Sequence, residues 1–190
     1  MRRLIVEEWM SLDGFAVDKA GSLDFFAAGE SDKFSDREQL RFLEGVDTIL
    51  LGRKTYELFV DFWPTPKSNN EIVAGRLNEL PKVIFSNTRA EAPWGSWPAA
   101  RVVSGDALAE IRRMKAADGK QMVVWGSLSL VEQLMKADLV DEYHLQLCPT
   151  VVGGGRALFP ALPDYARFKL VNLRRYETGV VFLHYEPLRG

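Results

Sequence analysis

Cysteine and histidine are almost missing from this chain. Cys148 is alone among 190 residues, so no intrachain disulfide can form, which fits a reducing cytoplasm. It lies in the apolar run 145–152 just before Pro149, where a small buried hydrophobe is the ordinary role and a reactive thiol the alternative. The two histidines, His144 and His184, fall in strand-like segments with no cysteine, histidine or paired carboxylate at ligand spacing, so no metal is expected. An excess of one charge is lacking too: 24 Lys and Arg face 26 Asp and Glu, and the net −2 recommends neither nucleic acid nor an anionic membrane as partner. No apolar run is long. The one behind Arg2 and Arg3 stops at Glu7 and Glu8, too soon for a signal peptide or a membrane span, and a cytoplasmic protein is expected. Three common motifs are also absent: the G-x-S-x-G elbow, the G-x-x-x-x-G-K-[ST] loop and a clean G-x-G-x-x-G after the first strand.

What is present reads as an α/β protein. Hydrophobic residues at 47% and charged residues at 26% are ordinary for a globular chain, and one domain over residues 1–190 is expected. Strand-like runs at 4–9, 46–51, 82–86, 101–104 and 122–125 alternate with helical patterns at 35–44, 53–62, 70–80, 106–117 and 129–136. Such alternation predicts a mostly parallel sheet flanked by helices. The end differs: 141–151 reads as one long strand, and 168–176 with 180–185 as an antiparallel hairpin around Glu177-Thr178-Gly179. The Pro-, Gly- and Trp-rich segment 92–100 reads as a surface loop.

Two glycine turns carry the chemistry. TILLGRKTYE at 48–57 passes from a buried strand through Gly52 into a helix start bearing Arg53, Lys54 and Thr55. Glycine lets the backbone approach an anion, free helix N–H groups point at it, and the cations and hydroxyl add to the attraction. A plain β-to-α connection with surface cations is the competing reading. QMVVWGSLSLVEQL at 121–134 repeats the pattern with Gly126, and Ser129 with Glu132 has the spacing of a capping box. Strand ends of an open α/β sheet gather along one edge, where a dinucleotide suits several such turns better than a single phosphate does.

SLDG at 11–14, GRKTYE at 52–57, KVIFS at 82–86 and LVDEYHLQLCPTVVGGGRALF at 139–159, in this order, resemble the dihydrofolate-reductase-like superfamily. The closer similarity is to the reductase domain of the bifunctional riboflavin-biosynthesis deaminase-reductase and its stand-alone relatives. The resemblance implies NADPH as cofactor and hydride transfer to a pterin or to the sugar part of an aminopyrimidine. Arg53, Lys54 and Thr55 would then hold phosphates of the adenine half, Ser86 the adenosine phosphate or ribose, and Ser104 the adenine pocket. Arg89 would add a second charge for a 2′-phosphate, unless it is a solvated loop cation. Gly126, Ser127, Leu128 and Ser129 would cover the pyrophosphate and nicotinamide.

On the substrate side the resemblance places the loop of Asp13 over the nicotinamide, and Asp24 with Phe25 beside the heterocycle, Asp24 orienting it or relaying a proton. Asp32, Asp36 and Glu38 compete for that role and spacing does not rank them. Tyr56, nearest the phosphate turn in the stripe Tyr56, Phe59, Trp63, is a pocket-wall candidate against a core alternative. The chain departs from the pattern twice. Gly126-Ser127 replaces paired glycines, and Trp125 stands where the riboflavin-pathway enzymes carry a substrate-binding glutamate, either stacking on a flat heterocycle or packing the sheet. Gly153-Gly154-Gly155 is either a turn near the cofactor edge or a flexible connector. The expected partners are a small heterocyclic substrate and a second copy in a homodimer, the latter because the apolar strand 143–152 and the hairpin need cover. A nucleotide-binding module without turnover is the rival function, and 5-amino-6-(5-phosphoribosylamino)uracil reductase proper a second alternative.

Overall fold

β1 (Leu4–Ser11, LIVEEWMS) and β3 (Val46–Gly52, VDTILLG) are apolar runs without strict alternation, and both lie inside the sheet with most residues buried. The computed structural model describes residues 1–29, 33–159 and 164–189. Further strands are β2 (Phe15–Asp18), β4 (Lys82–Phe85), β5 (Ala92–Trp94), β6 (Trp97–Val103), β7 (Gln121–Trp125), β8 (Glu142–Cys148), β9 (Gly155–Ala157), β10 (Phe168–Arg175) and β11 (Val181–Pro187). The helices are α1 (Lys33–Glu44), α2 (Arg53–Val60), α3 (Ala74–Glu79), α4 (Ala107–Ala116) and α5 (Leu128–Lys136).

The main sheet has nine strands in the order β10-β11-β8-β1-β7-β3-β4-β6-β5, and β2 with β9 forms a separate ribbon. From β8 to β6 the pairings are parallel, while β11 joins β8, and β10 joins β11, antiparallel. Successive side chains of a strand face opposite sides, and the core divides accordingly. Leu50 and Val124 join the cluster under α4 and α5, whereas Ile49, Leu51, Val123 and Trp125 join the cluster under α1, α2 and α3. Among the described residues no helix is long and apolar enough to cross a membrane.

The mostly parallel sheet with an antiparallel C-terminal pair is the architecture expected. Three local expectations are corrected. Residues 92–100 form most of the β5–β6 hairpin, because Trp94 is fully buried and its indole N–H donates to Asn78 Oδ1 at 2.7 Å. The helix expected over 70–80 is shortened to Ala74–Glu79, following a 3-10 turn at Pro66–Ser68. The long strand ends at Cys148 and lies between β1 and β11, so it is interior and both of its edges are already covered.

Candidate functional site

The parallel strands β1, β7, β3, β4 and β6 end along one edge, and the two glycine turns follow the neighbouring strands β7 and β3. Their backbones interlock. Ser127 Oγ accepts from Gly52 N at 2.5 Å and donates to Thr55 Oγ1 at 3.0 Å, and Thr55 Oγ1 also accepts from Ser127 N at 2.8 Å. Glycine suits both sides of that approach: a Cβ on Gly126 would sit 2.9 Å from Thr55 Oγ1, and one on Gly52 would crowd Ser127 Oγ at 3.0 Å. Gly126 and Ser127 both turn left-handed, with φ of 53° and 61°, a conformation costing a non-glycine residue about 1 kcal/mol or more. Ser127 holds it through these hydrogen bonds.

The capping box is therefore not formed. Ser127 occupies the cap position of α5 without capping it, Ser129 is exposed inside the first turn beside buried Leu128, and Glu132 pairs with Lys136. The hydroxyl of Thr55 is buried as the hub of the two turns. Cations stand further out. Arg53 and Arg89 both reach Glu57, at 3.0 and 3.3 Å, and the Arg89 guanidinium lies 4.8 Å over the Tyr56 ring. Tyr56 is a core residue with its hydroxyl on the Pro93 carbonyl, so it reaches the edge only as the shelf for Arg89. Lys54 is exposed. Ser86 closes its own turn by accepting from Thr88 N and Arg89 N, and Asn87 beside it accepts from Gly105 N, bringing exposed Ser104 next to that turn.

On the α1 face, Trp125 is buried and its indole N–H donates to Glu7 Oε2, which also accepts from Gln39. Burial pushes the Glu7 carboxyl above its ordinary range, against the opposing influence of His144 and of these two donors. A cavity of about 200 Å³ opens beside it, walled by Gln39, Phe42, His144, Arg174 and Phe182. Glu38 faces the same cavity, ion-paired with Arg174 and accepting from the Tyr176 hydroxyl at 2.9 Å. On the opposite face of β1, Glu8 is buried against the backbone N–H groups of Trp9 and Gly126, and desolvation pushes it up to about 8.

The remaining expected residues lie at the rim. Asp24 is exposed at the start of a 3-10 turn, where Phe25 meets Phe26 edge-on and Phe26 packs on Trp9. Asp32 lies outside the described residues. Asp13 accepts from Ser11 Oγ at 2.7 Å, Gly153 N at 2.8 Å and Val152 N at 3.2 Å, which hold its carboxylate below the usual range. It clasps its loop to the triple glycine. Gly155 opens β9, and a Cβ there would lie 2.0 Å from the Val17 carbonyl, so this segment is a close-packed ribbon rather than a flexible connector. Cys148 is buried, its thiol pushed up to about 11 by desolvation, as suits a small hydrophobe. Glu7 and Glu8 were legible only as charges ending an apolar run. Two acids inside an otherwise buried strand were the available signal.

The family model described as the RibD C-terminal domain matches residues 2–182. An uncharacterized protein of Bacillus subtilis (strain 168), YyaP, is 31% identical over 187 residues, covering 97% of this chain and 94% of the relative. A putative riboflavin biosynthesis protein from Shewanella sp. PV-4 superposes with a TM-score of 0.77 at 25% identity, covering 98% of this chain and 99% of that one. Dihydrofolate reductase from Enterococcus faecalis, solved with NADP(H), shares the fold at a TM-score of 0.58 and 13% identity, over 98% of this chain and 97% of that one.

Proposed function

Because the chain belongs to the RibD C-terminal domain family, we propose that it is an NADPH-dependent reductase of a small nitrogen heterocycle, pterin- or aminopyrimidine-like. The observation that carries this reading is the pair of interlocked glycine turns beside a strand whose buried Glu7 carboxyl faces a cavity. The residues fit a dinucleotide: glycines where a Cβ would crowd the facing turn, helix starts, and outlying cations. Arg53, Lys54, Arg89, Ser86 and Ser104 would hold the adenine half, Arg89 preset by Glu57 and Tyr56. Gly126, Ser127, Leu128 and Ser129 would cover the pyrophosphate and nicotinamide, with Thr55 fixing the turn from behind. The likeness to a reductase solved with NADP(H) supports the same choice.

When bound, NADPH supplies the hydride, and the protein's work is positioning and protonation. Reducing an imine-like carbon also needs a proton on the neighbouring nitrogen. Glu7 takes that role, since its burial favours the protonated acid and Trp125 and Gln39 fix its orientation. Trp125 braces Glu7 from the core without lining the cavity, and Asp24 and Phe25 at the rim meet the incoming heterocycle. Calorimetry should show NADPH bound more tightly than NADH, and Arg53→Ala should weaken it by about 1–3 kcal/mol, the scale of a charge-assisted contact. Equal affinity for both nucleotides, unaffected by that change, would overturn the cofactor assignment. Binding without NADPH consumption on dihydropterins or the aminopyrimidine would leave a nucleotide-binding module. The reading includes a homodimer through the β10 side, where Leu170, Val171 and Leu173 are exposed.

A further inference from the structure

Strand pairing brings together three side chains that the sequence keeps apart. β8 and β11 run antiparallel with His144 directly opposite His184, and Glu142 precedes His144 by two residues on the same face of β8. We propose that Glu142, His144 and His184 form a binding site for a divalent transition-metal ion of the zinc type, with one coordination position open to the cavity beside Glu7.

The geometry is that of a collapsed three-ligand site. His144 Nε2 lies 3.1 Å, and His184 Nε2 2.8 Å, from the same oxygen, Glu142 Oε2, and the ligand atoms all fall within 4.8 Å of one another. Zinc bonds of about 2.0–2.1 Å in a tetrahedron hold neighbouring ligand atoms about 3.3 Å apart, so each imidazole would move only a few tenths of an ångström relative to the Glu142 oxygen. Two imidazoles and one carboxylate are a known donor set for zinc with a fourth position left for water or substrate. His184 Nε2 supplies a second observation. It is buried, and despite its 2.8 Å approach to Glu142 its orientation makes no hydrogen bond among the described residues. A metal ion is the partner that such a lone pair suits.

The surroundings support the donors. Arg3 ion-pairs with the other oxygen, Glu142 Oε1, at 2.7 Å and with Glu186 at 2.8 Å, fixing the carboxylate so that Oε2 faces the imidazoles. Its positive charge also weakens cation binding, so micromolar affinity is expected rather than that of a closed structural zinc site. Phe42 and Phe182 pack against the His144 ring at 5.1 and 5.4 Å and set its plane. Because the ligands project from two paired strands, the constellation is rigid before any ion arrives. Of the three ligands His144 walls the cavity containing Glu7, the side from which an oxygen or nitrogen donor would reach the ion.

The inference is independent of the reductase reading and is tested without any nucleotide. Protein stripped with a chelator is titrated with Zn²⁺ against a chromogenic competitor, and in parallel with Co²⁺, whose visible absorption reports coordination by protein ligands. One ion per chain is expected, with affinity falling at least a hundredfold in His184→Ala and in His144→Ala, and the Co²⁺ band lost in both. Glu142→Gln, which keeps the shape of the side chain, should weaken binding with the fold intact by circular dichroism. Zinc should raise the melting temperature of the native chain and leave that of His184→Gln unchanged. Absence of stoichiometric binding to the native chain, or binding equally strong in the folded variants, would overturn the site and leave a proton-sharing histidine–glutamate cluster.

Discussion

Trp125 and Glu7, on the adjacent parallel strands β7 and β1, share a hydrogen bond of 2.5 Å from the indole N–H to Oε2. The polar atom of Trp125 is thereby occupied by a carboxyl supplied by the neighbouring strand.

Trp125→Phe removes one of the two donors to Glu7 and should cost about 1–3 kcal/mol of stability in urea denaturation, since a buried acceptor loses a partner. Glu7→Gln should leave NADPH binding within twofold while lowering turnover at least tenfold. On the proposed reading, buried Trp125 offers a polar phosphoribosyl-aminopyrimidine no acceptor, so a flatter, more apolar heterocycle should be the better substrate. Wild-type growth of a riboflavin-reductase-deficient strain carrying this chain, with efficient aminopyrimidine turnover, would refute that preference.

Glu8 sets a pH dependence with a definite sign. Burial raises it from an ordinary 4.5 to about 8, so between these values the folded chain keeps a proton that the unfolded chain releases. Its contribution is full below about pH 4.5 and is lost as pH rises through about 8. Glu8→Gln should therefore flatten the fall in stability from pH 5 to pH 8.5 by about 1–3 kcal/mol, measured by urea denaturation at both pH values. An unchanged slope would show that Glu8 titrates normally.

Thr55→Val deletes the acceptor of two hydrogen bonds while keeping the volume, and should cost about 1–2 kcal/mol and weaken NADPH binding together. Ser127→Gly relieves the positive φ yet loses the hydroxyl that Gly52 N donates to, so it should be destabilising as well. A Ser127→Gly chain more stable than the native one would mean that backbone strain, and not the interlock, dominates this turn.

Light scattering at micromolar concentration should give twice the 21.5 kDa of one chain, and Leu173→Lys should return the monomer mass. A native particle of 21.5 kDa would rule the dimer out.

The alternation of strands and helices, and both glycine turns, were legible because they rest on local signals: apolar runs, a glycine, a helix start. What escaped depends on pairing between distant segments. Pro93 and Gly95 made the β5–β6 hairpin read as a loop, since nothing nearby shows that Asn78 will receive the Trp94 indole. The register that sets His144 against His184 is written in neither strand alone. Ser129 and Glu132 had the right spacing for a cap, but Ser127 one turn end earlier is held by Gly52 and Thr55, which belong to another strand and helix.

Asp13 joins loops that follow different strands, and the β2–β9 ribbon joins the same two segments a second time. The rim above β1 and the rim above β8 are therefore tied to each other at two points. A ligand that draws either loop inward should bring the other with it, and a cut in one should loosen both.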